Sequence, residues 1–431
     1  MNVDLAFGRK GLTVALPDGP QYQVLHSRAA QPLPDALAAI EHALDHPIGC
    51  APLSHLAQGR KSAAISVCDI TRPAPNRVVL PPLLQRLEAA AIARDQIVIL
   101  IATGLHRAAT EAEILEIVGP EIAQTYRVEN HFAKNLSEHR DLGTTRAGTP
   151  VYVDERFCAA DLHITLGFIE PHLMLGFSGG RKLIAPGLAA QETIKVIHSP
   201  KFMRDRRTFE GNVDDNPLQA ELVEISRMVR HDFLVDVALG IGSPGSRPIT
   251  QVFAGHPETA HRAGMDFVAE VMLETLDEPV DAVITTAAGY PLDLTFYQAV
   301  KGVTAASHIL KPGGAILLFA ECSEGAGAPE FREMMERYDS ADDFLTGVVD
   351  RPVAVDQWQL EKLALVKAHQ HLLFYVPGLE LRLREKLWGP AFDTPEAALA
   401  ALLEHTGPNA RIAVIPEGPY VLAKARALAF A

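Results

Sequence analysis

Three short polar segments follow directly on apolar, β-rich runs: Cys68-Asp-Ile-Thr-Arg-Pro73 after Ala63 to Val67, Ala102-Thr-Gly-Leu-His-Arg107 after Ile97 to Ile101, and Gly167-Phe-Ile-Glu-Pro-His172 after Leu162 to Leu166. An open sheet of parallel strands binds ligands beyond the carboxyl ends of its strands, so neighbouring strands would bring these segments to one edge. A single loop of this kind is ordinary punctuation. Three in sequence point to an active site. His106 and His172 each close a strand-to-loop transition, which would let two imidazoles face one substrate carbon from opposite sides. Such a pair suits inversion of a stereocentre, one ring taking a proton on one face while the other delivers on the opposite face. Most of the 17 histidines must be surface or hydrogen-bonded core groups, and position alone selects these two.

The densest segment runs from Glu170 through Pro-His-Leu-Met-Leu-Gly-Phe-Ser-Gly-Gly-Arg-Lys-Leu-Ile-Ala-Pro to Gly187. Gly176, Gly179 and Gly180 would allow close backbone approach to an anion, and Arg181 and Lys182 would add positive charge beside it. The segment is not a Walker loop, because Arg181 separates Gly180 from Lys182 and Leu183 stands where Ser or Thr would hold magnesium. Nucleoside triphosphate hydrolysis is disfavoured, and a glycine-rich turn with solvated basic side chains is the plainer alternative. His198, in Val196-Ile-His-Ser-Pro200 after a helical stretch from Gln191, is either a metal ligand or a neighbour of a helix cap. In Tyr290-Pro-Leu-Asp-Leu-Thr-Phe-Tyr-Gln-Ala-Val-Lys-Gly302, a helix from Phe296 would put Gln298 and Lys301 on one face, where they could clamp a carboxylate or simply be solvated. Trp358, one of two tryptophans, has amphipathic packing as its default role.

The elements that must position these groups alternate between short β-rich runs and longer Ala/Leu/Glu stretches such as Leu83 to Ala91 and Glu111 to Ile117. Strands that read as nearly continuous apolar runs, here also Ala282 to Thr286 and Ile316 to Phe319, are those buried on both faces of a mainly parallel sheet. Leu234 to Leu239 and Thr250 to Ala254 flank Gly240 to Pro248 as a hairpin would. The formal G-x-G-x-x-G at Gly240, Gly242 and Gly245 is rejected as a dinucleotide turn, because Pro244 and Pro248 interrupt the helix it would have to open. A helix over His256 to Leu276 precedes Asp277-Glu-Pro279, so a domain boundary is expected there. The expected fold is α/β, with two domains, 1–275 and 276–431, each with mainly parallel sheets flanked by helices and the active site in the cleft between them. Pro395 to Leu403 reads as a surface helix.

The 431 residues, 48% hydrophobic and 21% charged, are ordinary globular usage, and a formal charge of −14 opposes binding to nucleic acid or anionic membrane. No apolar run approaches the about 18 residues that span a bilayer, and the N-terminus carries Asp4, Arg9 and Lys10 where an export signal would be apolar. The four cysteines, Cys50, Cys68, Cys158 and Cys322, form no C-x-x-C pair, which fits a reducing cytoplasm.

Taken together, Asp69-Ile-Thr-Arg72, Thr103-Gly-Leu-His-Arg107, Glu170-Pro-His172, Gly179-Gly-Arg-Lys182, Ile197-His-Ser199, Tyr297-Gln-Ala-Val-Lys301 and Asp356-Gln-Trp358 resemble, in order, the lactate racemase family that uses a nickel-pincer nucleotide. The resemblance runs from about residue 60 to residue 360. It implies that Lys182 tethers this nucleotide, a pyridinium mononucleotide with two sulfur-containing arms holding nickel, and that His198 completes the nickel coordination. It further implies that Asp69, Ile70, Thr71 and Arg72 contact the cofactor, that His106 and His172 are the acid/base pair, and that Gln298 and Lys301 bind a 2-hydroxy acid with Arg72, Tyr297 and Trp358 close by. The implied activity is racemisation or epimerisation of a lactate-like hydroxy acid by reversible hydride transfer, with the cofactor made by separate biosynthesis proteins. Two other readings compete: a zinc hydrolase using His106, His172 and His198, and a non-catalytic protein holding an anion at Gly179 to Lys182.

Overall fold

Ala63–Cys68 buries all six of its side chains, and Leu162–Ile169 all eight, as strands do when helices cover both faces of a sheet. A computed structural model describes residues 1–28, 30–240, 247–349 and 351–426, and it divides into two compact units. One unit spans residues 29–197 and 207–271; the other gathers 1–28, 198–206 and 272–431. The second unit thus takes in chain from well before residue 276. The strand Gln21–Val24 explains part of this, since it adds in parallel to Arg411–Ile415 at the edge of that unit's sheet.

The first unit is built on a six-stranded sheet in the order Ile249–Gly255, Phe233–Leu239, Leu162–Ile169, Ala63–Cys68, Ile97–Ala102, Arg127–Asn130. Every pairing is parallel except that of Ile249–Gly255 with Phe233–Leu239, which is the expected hairpin. Gly242 and Gly245 of the rejected dinucleotide pattern lie outside the described residues. Ile65, Val67, Ile99, Ile101, Ile164 and Leu166 pack with Leu80, Leu83 and Leu84 of the helix Asn76–Ala89 to form its core. That helix starts before the expected Leu83, running through Pro81 and Pro82.

The second unit carries a five-stranded, wholly parallel sheet in the order Gln21–Val24, Arg411–Ile415, Val280–Thr286, Leu310–Phe319, His371–Tyr375. Val283, Ile316 and Leu318 point into one core with the helix Phe296–Ser307, while Ala282, Ile284 and Leu317 point into a second core. The helix Pro395–Thr406 buries Ala398, Leu399 and Leu402 in that second core, so it is a cover for the sheet as well as a surface helix. The helix expected over His256 to Leu276 stops at Met272, and Leu273–Leu276 becomes a strand paired in parallel with Leu422–Ala425. The backbone of that partner strand, with burial of Leu276, outweighs continuation of the helix.

Candidate active site

In the first sheet the chain runs outward from Ala63–Cys68 through Ile97–Ala102 to Arg127–Asn130, then returns to the other side with Leu162–Ile169. Strand order therefore reverses between Ala63–Cys68 and Leu162–Ile169, and the crevice at their carboxyl ends is where doubly wound sheets bind ligands. A 3₁₀ turn, Gly180–Leu183, lies over this point: the Ser66 hydroxyl donates to the Leu183 carbonyl at 2.8 Å. The Gly104 N–H donates to the Gly187 carbonyl at 3.0 Å, so the loop carrying His106 and the segment carrying Lys182 are joined directly.

Asp69, at the end of its strand, is buried, with Oδ2 2.7 Å from Nδ1 of His106 and Oδ1 accepting from the Thr71 hydroxyl at 2.7 Å. Burial alone would raise its carboxyl pKa, but His106, the Thr71 hydroxyl and Arg72 together hold it below the ordinary value. An ionised carboxylate only accepts, so His106 carries its proton on Nδ1 and keeps Nε2 as a base, on a side chain 51% exposed. Burial, reinforced by Asp69, pushes the neighbouring Cys68 thiol up to about 12, against the opposing influence of Arg72 and Lys182. A thiol so held is no nucleophile at neutral pH.

His172 lies in a tight hairpin, Pro171–His172 paired antiparallel with Gly176–Phe177, which the Ser178 side chain closes by donating to the Phe168 carbonyl and accepting from the Glu170 N–H. The Met174 N–H donates to His172 Nδ1 at 3.4 Å, so the neutral ring carries its proton on Nε2. The two imidazoles thus stand in opposite tautomers. Lys182 is half-buried in the turn that follows.

Arg181 is not a cation beside an anion, as the glycine-rich segment suggested. It is buried, and burial lowers its pKa to about 9 against the pull of Asp236. Its guanidinium donates to the carbonyls of Leu175, Phe177 and Gly179 and to Nε2 of His261, whose Nδ1 lies 2.7 Å from Asp236. The glycines serve packing as well: a Cβ at Gly176 would come within 2.3 Å of the Asn212 carbonyl oxygen. Asp236 and His261 were not singled out from the sequence. The readable signal was the lone carboxylate inside the apolar strand Phe-Leu-Val-Asp-Val-Ala-Leu, which demands a buried partner.

In the other unit, the Trp358 indole N–H donates to the Tyr297 hydroxyl at 3.2 Å, and the rings of Trp358 and His198 pack with centroids 4.5 Å apart. Trp358 is therefore more than packing, since it ties Tyr297 and His198 into one cluster. Gln298 and Lys301 stand on the helix Phe296–Ser307, capped by Thr295, whose hydroxyl accepts from the Gln298 N–H at 3.4 Å. Gly302 lets this helix lie on the sheet, because a Cβ there would come within 2.1 Å of the Thr286 carbonyl oxygen. The Gln298 Oε1 is buried with no hydrogen-bond partner among the described residues, an acceptor awaiting a donor.

Ile70, Thr71 and Arg72 follow Asp69 in the turn at the strand end, where the Arg72 N–H donates to the Asp69 carbonyl at 3.2 Å. The structure therefore brings Asp69 and His106 into contact in one unit, with Lys182 bound into the same strand ends, and His198, Tyr297 and Trp358 into contact in the other.

Family models described as the lactate racemase N-terminal domain and the lactate racemase C-terminal domain match residues 7–211 and 276–423. A lactate racemase from Thermoanaerobacterium thermosaccharolyticum is 31% identical over 429 residues, covering 98% of this chain and 99% of that protein. One from Lactiplantibacillus plantarum is 32% identical over 429 residues with the same coverage. The solved structure of the lactate racemase apoprotein from Thermoanaerobacterium thermosaccharolyticum superimposes with a TM-score of 0.91 at 30% identity, covering 98% of this chain and 100% of that one. A Thermotoga maritima protein at 16% identity and TM-score 0.67, covering 92% of this chain and 100% of that one, shares the fold.

Proposed function

The chain belongs to the lactate racemase family, and we propose that it interconverts the enantiomers of lactate or of a similar 2-hydroxy acid. The observation that carries this reading is that Asp69 holds Nδ1 of His106 and so makes Nε2 the nitrogen that takes up a proton. A two-sided exchange of one proton needs one ring as neutral imidazole and the other as imidazolium, a difference of protonation and not of tautomer.

Plain deprotonation at Cα would put a second negative charge beside the carboxylate, which is prohibitive without a strong electrophile. Loss of hydride from Cα with loss of the hydroxyl proton avoids the dianion and gives a planar 2-oxo acid. The donor set of this chain fits the nickel-pincer nucleotide in kind, with one half-buried amine, Lys182, to tether it and one imidazole, His198, to complete a metal's coordination. When bound, that group would supply the acceptor that takes hydride from Cα and returns it. Asp69 to Arg72 would contact it at the strand end.

The chain's own residues do the rest. In the proposed cycle His106, as the neutral base, takes the hydroxyl proton of one enantiomer, Lys301 and Arg72 are assigned to the carboxylate, and His172, entering as the imidazolium and ending as the neutral ring, returns a proton after hydride arrives on the other face. In the reverse direction the two histidines exchange duties. Gln298 is assigned to the bound hydroxy acid through its amide N–H, because the single hydroxyl proton goes to the imidazole, and Tyr297 and Trp358, joined by their hydrogen bond, are assigned to the same substrate. The completed cycle has no net redox change.

Cofactor loading would need separate biosynthesis proteins. All four cysteines are free thiols, which supports a reducing, cytoplasmic setting, and no helix among the described residues is long and apolar enough to cross a membrane. The zinc-hydrolase alternative finds no support, because no group of three His, Cys, Asp or Glu suited to a metal occurs among the described residues. The reading is tested by chiral chromatography of cofactor-loaded protein with L-lactate and a panel of other 2-hydroxy acids. Conversion to an equal mixture is expected for at least one, and retention of configuration in all of them overturns the reading.

A further inference from the structure

The glycine-rich segment between His172 and Lys182 is organised around a chain of three buried side chains. Asp236, in the middle of the strand Phe233–Leu239, lies 2.7 Å from Nδ1 of His261, and Nε2 of His261 meets the guanidinium of Arg181. Only one arrangement of protons satisfies both contacts. A guanidinium is an obligate donor, so Nε2 of His261 accepts and the ring is neutral, with its proton on Nδ1 and directed at the carboxylate. Asp236, His261 and Arg181 are 0%, 2% and 4% exposed, so no water competes for these bonds.

The glycines are cut to this chain. A Cβ at Gly167 would come 2.9 Å from Asp236 Oδ1, one at Gly179 would come 2.7 Å from Asp236 Oδ2, and one at Gly180 would come 3.0 Å from the His261 ring. Every contact of the Arg181 guanidinium beyond His261 is a backbone carbonyl of the segment itself. Leu175 and Phe177 belong to the turn and returning strand of the His172 hairpin, and Gly179 immediately precedes the Lys182 turn. One planar group with fixed donor directions therefore spans both pieces, and its own position is set from the sheet through His261.

We propose that Arg181, oriented by the His261–Asp236 pair, is a positioning residue that holds the His172 hairpin and the Lys182 turn in one register. The proposal rests on the reading of His172 as an acid/base group and Lys182 as the tether. His106 is oriented separately, by Asp69, so loss of Arg181 should slow the enantiomer that gives its proton to His172 more than the one that gives it to His106, beyond the loss both share through the Lys182 turn.

The first test needs no cofactor. In unloaded protein with ¹⁵N-labelled histidine, the His261 ring is expected to be neutral and protonated on Nδ1 from pH 8 to pH 5; an Nε2–H or charged ring at pH 7 overturns the proposal. In R181K, which keeps the charge but loses the fork, amide exchange over residues 173–180 is expected to quicken by about 10-fold or more relative to the strand Ala63–Cys68, and unchanged exchange there overturns it. H261Q, able to donate and accept at the same two places, should restore more protection than H261L, and equal losses count against the orientation by His261.

The second test uses loaded protein in a single turnover, with each enantiomer quenched to measure 2-oxo acid. There the cofactor would supply the hydride acceptor and an imidazole would take the hydroxyl proton. R181K is expected to slow oxidation of both enantiomers, one of them by about 30-fold more than the other, with little change in KM. Equal slowing of both, or slowing of neither, overturns the positioning role. If wild-type loaded protein oxidises neither enantiomer, the racemase reading fails instead, and the ring-nitrogen and exchange measurements still decide the clamp.

Discussion

The imidazole of His106 and the carboxylate of Asp69 meet at 2.7 Å between Nδ1 and Oδ2, with the carboxylate buried and the ring half exposed. This contact fixes the tautomer that makes His106 a base at Nε2. Asp69→Asn replaces an obligate acceptor with a group that can also donate, and so permits the opposite tautomer. Racemisation is expected to fall by about 10³-fold or more with the fold unchanged, as when the orienting carboxylate of a catalytic histidine is lost. A chiral assay beside a circular dichroism spectrum measures it, and near-normal turnover would refute the role of Asp69.

Lys182 in the turn Gly180–Leu183 is the proposed point of attachment. After exposure to the cofactor-synthesising proteins, the intact wild-type chain should show added mass that Lys182→Ala lacks. Added mass that persists in the variant would refute the assignment.

Gln298 offers a case where binding and stability should part company. Its buried Oε1 lacks a partner among the described residues, so Gln298→Leu removes an unsatisfied acceptor from the folded chain. The thermal midpoint is expected to stay level or rise, while KM for the hydroxy acid rises by about 10-fold or more, the worth of a hydrogen bond to substrate. A lowered midpoint with unchanged KM would mark Gln298 as structural.

Stability should fall with acid before the carboxylates titrate. Burial, with His139 and Arg156 adding to it, lowers His131 from 6.5 to about 3, and burial lowers His231 to about 3 despite a hydrogen bond that favours its charge. Both rings are neutral in the folded chain where the unfolded chain would already hold protons. Their contribution is complete above about pH 6.5 and is lost as pH falls toward 3, by up to about 1.4 kcal/mol per unit for each ring. Asp69, held below its ordinary value, adds a further loss only at lower pH. Denaturant unfolding between about pH 7 and pH 5 measures the slope, and a flat profile would contradict it.

The strands that place the candidate site were legible because burial on both faces leaves an unbroken apolar run, as in Ala63–Cys68 and Leu162–Ile169. His106 stood out because it follows such a run by only a few residues. What stayed hidden depended on partners distant in sequence. Arg181 reads as a solvated cation until Asp236 and His261, separated from it by 55 and 80 residues, close around it. The glycines beside it read as room for an anion, whereas their missing Cβ atoms make room for those two side chains. Leu273–Leu276 reads as the end of a helix because its strand partner, Leu422–Ala425, lies far along the chain.

In the proposed reaction the hydrogen on Cα leaves and returns as hydride. L-lactate deuterated at Cα, converted by loaded protein in ordinary water, should give D-lactate that keeps nearly all of its deuterium, because hydride held on a cofactor does not exchange with solvent as a histidine proton does. Mass analysis of the separated product reads this directly. Replacement of the label by solvent hydrogen would contradict the account and make the two histidines bases acting on Cα itself.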